Sequence, residues 1–270
     1  MNLRGLHQSV TASFDRVRPA IDHIFTKTIA QTIQSGHAVN VAPFLVRMNK
    51  ALEGSGVRVR LERNAKYGKP SDTEGTFYPS LGGYCYEPAD PAEKLARVQL
   101  IVCIHPDINR FPLSAAGWQY FRFRFLKTAA HELVHRGQYA ANRDLDNPLV
   151  FRPSVASHEN RAEFDQQVYL GDIDEIEAYA RDAVEEWYYF YPTAPLTIAG
   201  LKKDFRGPCQ LPALQYYRDT FKKDEQHLAV QRLFLKIREW NRLIVPIALN
   251  LPPVNADIKK ERSKYPISVA

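Results

Sequence analysis

Apolar residues recur at three-to-five-residue spacing near the start of the chain, at Val10, Phe14, Val17, Ile21, Ile24 and Ile29. That spacing predicts an amphipathic helix. A second helix is expected from Pro43, with Phe44, Leu45, Met48 and Leu52 on one side and Gly54 and Gly56 as stop signals. The pattern then changes period. VRVRLE (Val57 to Glu62) alternates apolar and charged residues, as a half-buried strand does. GTFYPSLGGYCYEP places two aromatic stretches around Gly82-Gly83 and suggests a hairpin. RVQLIVCIHP (Arg97 to Pro106) is the strongest strand signal, rich in β-branched residues and stopped by Pro106.

From about Leu113 the pattern is helical again. WQYFRFRFLKTAAHELVHRGQY carries apolar residues on more than one side, which predicts a buried helix. A polar connection follows, and then DIDEIEAYARDAVEEWYYF, LPALQYYRDTF and EQHLAVQRLFLKIREWNRLIV as further helices. Helices, a small sheet and a run of helices make an α+β chain. The expected division is a catalytic domain over 1–192 and a helical extension over 193–270, its tail from about residue 252 extended.

Composition adds limits. A hydrophobic fraction of 45% with 24% charged residues is that of an ordinary globular protein. The net charge is +6, but its charges are interspersed and form no basic stripe with a reading motif, which argues against nucleic acid as a partner. Three cysteines, Cys85, Cys103 and Cys209, form no CxxC pair and suit a reducing compartment. The sequence shows no signal-peptide pattern and no apolar run of membrane-spanning length, so a cytoplasmic protein with no membrane partner is expected.

Candidate chemistry lies in TAAHELVHRGQY (Thr128 to Tyr139). Residues four apart on a helix share a face, so His131 and His135 can present both imidazoles to one ion. Glu132 sits beside them. Zinc takes neutral imidazoles and a third protein ligand, leaving a position for water. A carboxylate at the rim can accept a water proton and deliver it to a leaving amine. Gln138 lies on the histidine face, where it either orients a ligand or faces solvent.

HELVHRGQY is similar to the active-site helix of zincin metallopeptidases. YLGDIDEIEAYA (Tyr169 to Ala180) resembles the third-ligand helix of gluzincins, especially compact minigluzincin-like and phage-encoded members. The resemblance implies a zincin-like fold with a small, mostly antiparallel sheet and one Zn²⁺ held by His131, His135 and a downstream glutamate. Alignment to the family's E-x-x-A-D/N element selects Glu175, with Tyr179 where the family often has Asp or Asn. Glu177 is the competitor, because it lies nearer the apolar stripe of Ile173, Ile176, Ala180 and Val184. The two are about 200° apart on a helix, so only one faces the ion. His158 lacks the glycine that SprT-like proteins place after their third ligand. Gluzincins commonly use a downstream Tyr or His as oxyanion donor, and Tyr169, Tyr179, Tyr216, Tyr217 and His227 are available.

The function these residues imply is a zinc metallopeptidase acting on a peptide or protein substrate, with Glu132 as general base and acid. RVQLIVCIHP would form the cleft's upper rim, where an extended peptide adds as a strand. The alternative is a zincin-fold structural or binding protein of a larger assembly, such as a viral one, without proteolytic activity. A nucleic-acid-associated protease is a weaker third reading.

Overall fold

The computed structural model describes residues 3–36, 38–67, 79–86, 97–111, 113–142, 161–244 and 246. It is a mixed α+β chain that divides into two compact units. The first covers residues 8–140 and the second residues 141–251 with the first turns of the N-terminal helix, through His7. The division suggested by sequence after residue 192 thus falls near residue 141, because the helix carrying DEIEAYA packs on those that follow it. His158, most of the polar connection and the tail from residue 252 lie outside the described residues.

In the first unit, α1 (Leu3–Ser35) buries Val10, Phe14, Val17, Ile21, Ile24 and Phe25 along one face, with Pro19 inside the helix. β1 (Val39–Asn40) leads into α2 (Val41–Ala51), where Pro43 occupies the first turn and needs no amide partner. Gly54 and Gly56 follow with φ of 77° and 75°, a conformation that glycine adopts without steric cost. The chain then enters β2 (Val57–Arg63), β3 (Ser80–Tyr86), β4 (Arg97–Ile104) and β5 (Arg110–Phe111). Next comes the long α3 (Ala115–Asn142).

The three-stranded sheet has the order β2-β4-β3. β2 runs parallel to β4 from Val57↔Val98, and β3 runs antiparallel from Ser80↔Cys103 to Tyr86↔Arg97. β1 and β5 pair antiparallel, so two of the three pairings among the described residues are antiparallel. Two expectations are corrected here. β4 is the central strand, hydrogen-bonded on both sides, and has no edge to offer an incoming peptide; the border strands among the described residues are β2 and β3. Nor is Gly82-Gly83 a hairpin turn, since β3 runs straight through both glycines in unbroken register with β4.

The core of this unit is aromatic. Phe25, Phe44, Phe111, Trp118 and Phe121 are fully buried, with ring centroids 5.3–6.3 Å apart and several edge-on pairs. Edge-to-face packing suits the ring quadrupoles. Asn49 of α2 pins the sheet, its amide donating to Val59 O and accepting from Val59 N, both at 2.8 Å. That occupies the outer edge of β2.

The second unit contains α4 (Arg161–Gly171), α5 (Ile173–Phe190), α6 (Ile198–Arg206), α7 (Pro212–Thr220) and α8 (Leu228–Trp240). α5 is its hub, packed on α8 and α7. It buries Ile176, Ala180 and Val184, and α8 buries Val230, Leu233, Phe234, Ile237 and Trp240. α5 also buries Glu177, Arg181, Asp182, Glu185 and Glu186, a charge density rarely found inside a helical core. No helix of the described residues is long and apolar enough to cross a membrane.

Candidate metal centre

Within the first unit, α3 carries HELVH on its buried middle. Ala129, Ala130, Leu133 and Val134 fill its other faces, and His131 and Glu132 are buried with them. The two imidazoles converge as four-residue spacing requires, with His131 Nε2 and His135 Nε2 3.3 Å apart. Two tetrahedral Zn–N bonds of ~2.0–2.1 Å span about 3.3 Å between nitrogens, so this pair fits zinc without rearrangement. His135 Nδ1 lies 2.9 Å from Gln138 Oε1. An amide oxygen only accepts, so Nδ1 carries the hydrogen and Nε2 presents its lone pair. Gln138 is buried and does not face solvent. It holds the His135 ring by its Nδ1 and leaves Nε2 turned towards His131.

Glu132 projects towards β3. Cys85, on that strand, has its thiol pushed up to about 12, first by burial and then by the charge of Glu132, with Arg136 pulling the other way. A thiol so far above its ordinary range is protonated and unreactive at neutral pH. Arg136 is itself buried and donates from Nη1 to Ser55 O at 3.1 Å. It thereby ties the second half of the HELVH segment to the loop that enters β2.

In the second unit, Glu175 lies in the first turn of α5. Asp172 caps that helix, its side chain accepting from Asp174 N at 2.8 Å. The Tyr169 hydroxyl is hydrogen-bonded to both Glu175 and Tyr179. A carboxylate only accepts, so Tyr169 donates to Glu175; its bond with Tyr179 raises the Tyr169 phenol and lowers that of Tyr179, so Tyr179 is the acceptor there. Tyr179 stacks on Tyr216 at 5.8 Å and meets Tyr217 edge-on at 5.7 Å. Burial, with Glu175 adding to it, raises the Tyr169 and Tyr179 phenols well above the ordinary range. Both therefore remain protonated across the physiological pH range.

Glu177 is buried, as its place beside the apolar stripe suggested, but it is engaged elsewhere. Its Oε2 accepts from Trp240 Nε1 at 2.9 Å and its Oε1 pairs with Lys236 Nζ at 2.7 Å. Both partners belong to α8, so Glu177 fastens one helix to another. The residue grouped with the two histidines as a potential metal ligand is Glu175, not Glu177.

The remaining candidates have local duties. His227 caps α8, its Nδ1 accepting from Ala229 N, and stacks on Phe221 at 4.1 Å. Tyr217 is fully buried. In the WYYFY run, Trp187 donates to Ala194 O and Tyr191 to Asp204, which makes the run a packing element. Cys103 is buried in β4, and burial raises its thiol. The sequence reading missed Gly83 by taking it for a turn. Tyr169 and Tyr179 were read as possible oxyanion donors rather than as supports of Glu175. Comparisons of the chain with family models, curated proteins and solved structures return no match, so its chemistry rests on its own residues.

Proposed function

We propose that this chain is a zinc-dependent metallopeptidase of zincin-like fold and gluzincin type, with one Zn²⁺ held by His131, His135 and Glu175. One observation carries the reading. Each of the three offers a ligand atom, and they are the one group of histidine, cysteine and carboxylate side chains among the described residues that could hold a metal ion. Two imidazoles and one carboxylate are the donor set of catalytic zinc rather than of a closed structural site, which uses four protein ligands.

When bound, zinc supplies Lewis acidity towards a carbonyl and acidifies water. The remaining work belongs to the chain. Gln138 holds His135 in the tautomer that presents Nε2, and Tyr169 holds the Glu175 carboxylate. Glu132, adjacent to His131 and shielded from solvent, accepts the proton of the attacking water and returns it to the departing amine nitrogen. Burial keeps bulk water from competing for that proton.

The test is metal content and peptide cleavage measured together. Glu132→Gln is expected to keep one equivalent of zinc and lose hydrolysis by ~10³-fold or more, whereas Glu175→Ala is expected to lose the metal. Full activity in Glu132→Gln would overturn the mechanism, and full zinc in Glu175→Ala would overturn the ligand set. Stoichiometric zinc in a wild-type protein that cleaves no peptide would favour the binding-protein alternative.

A further inference from the structure

β3 passes Glu132 at Gly83. A Cβ placed on that glycine would lie 2.5 Å from both Cγ and Oε1 of Glu132 and 2.7 Å from its Cδ. Non-bonded carbons meet at ~3.5–4.0 Å, so the volume of a side chain at position 83 is already filled by the glutamate. The usual reasons for a strand glycine do not apply. Positive φ among the glycines occurs at Gly36, Gly54 and Gly56, not at Gly83. The register Gly82↔Ile101, Gly83↔Leu100 and Tyr84↔Gln99 is regular, with no bulge. Gly82, whose missing Cβ faces the other way, has nothing within 4 Å and would accept a side chain. Of the two glycines of β3, only Gly83 is held to glycine by what lies against it.

Glu132 is 5% exposed, so its carboxylate has little room to move elsewhere. Cys85 stands two residues along β3, on the same face as Gly83, and feels the charge of Glu132. The strand therefore bounds the glutamate at two successive inward positions, one of them without a side chain.

We propose that Gly83 is a positioning residue for Glu132: the bare backbone of β3 forms the wall against which the carboxylate rests, and any side chain at 83 displaces it. The inference rests on the reading of Glu132 as general base. It assigns to the middle of an edge strand the task of fixing where that base stands.

The test begins on the metal-free protein, so that it does not depend on catalysis. Gly83→Ala is made in wild-type, Glu132→Gln and Glu132→Ala backgrounds, and thermal unfolding is followed in chelator. Overpacking predicts a Tm loss of roughly 3–10 °C in the first two backgrounds, because glutamine has the same shape. Little or no loss is expected in Glu132→Ala, where the space is vacated. An equal loss in all three backgrounds, or none in any, would overturn the proposal. In the zinc-loaded protein, Gly83→Ala is expected to keep its metal and lose ~10²-fold in kcat with KM nearly unchanged, the signature of a misplaced group. Wild-type kcat in a Gly83→Ala protein would also overturn it. Absence of zinc and cleavage in the wild type would instead sink the peptidase reading, while the unfolding comparison would still decide whether Gly83 and Glu132 are in contact.

Discussion

At the residue scale, the least expected feature is the support of Glu175. Tyr169 donates to the Glu175 carboxylate and shares a second hydrogen bond with Tyr179 one turn further along α5. Deleting one hydroxyl tests that support. Tyr169→Phe is expected to weaken zinc binding by ~10–100-fold, read by competition with a chromophoric chelator, while the circular dichroism spectrum stays that of the wild type. Unchanged affinity would mean that Glu175 is held by something else. The histidines were legible in the sequence because helix geometry alone brings residues four apart together. Tyr169 was not, because its use depends on how the chain turns at Gly171-Asp172 between two helices.

At the element scale, α5 shows why two glutamates two positions apart have opposite fates. Rotation puts Glu177 against α8, where Trp240 and Lys236 engage both oxygens. The apolar stripe correctly placed Glu177 in the interior, but burial alone does not say for whom. A partner more than sixty residues later decides that, and period counting carries no such information. The consequence is measurable. Glu177→Ala is expected to keep full zinc and lose ~1–3 kcal/mol of stability in chemical denaturation, since it leaves a buried indole N–H without an acceptor. Loss of zinc without loss of stability would reverse the assignment of the two residues. β3 teaches a related lesson. A glycine pair between aromatic stretches has the look of a turn, and only the side chain lying against it gives the actual reason.

At the scale of the whole molecule, the order of helices, small sheet and helices was readable from periodicity, as were the starts of β2 and β4. The compact units were not, because composition does not change where α5 joins α7 and α8. Nor were α4 and α6: both are short, and α4 has almost no amphipathic pattern. One titration reports on the second unit. His7 packs against Trp240 at 5.9 Å, and its pKa is lowered by burial and by the charge of Arg181, against a backbone hydrogen bond to Leu243 that raises it. The unfolded chain therefore takes up a proton near pH 6.5, where the folded one does not. Stability is retained above that pH and falls as pH drops below it, until the folded imidazole also protonates. Metal-free His7→Phe should lose less Tm than wild type between pH 7.5 and 5.5; parallel losses would place the sensitive group elsewhere. The charges buried in α5 bear also on how the protein is made. Glu186 accepts from the amide of Ala213 and Glu177 waits for Trp240. On the ribosome the histidine helix emerges early, but the helix bearing Glu175 cannot satisfy its own interior until α8 has been synthesised. A nascent chain thus carries the histidine pair of α3 well before the helix bearing Glu175 can satisfy its buried charges, which ties the folding of α5 to the synthesis of α8.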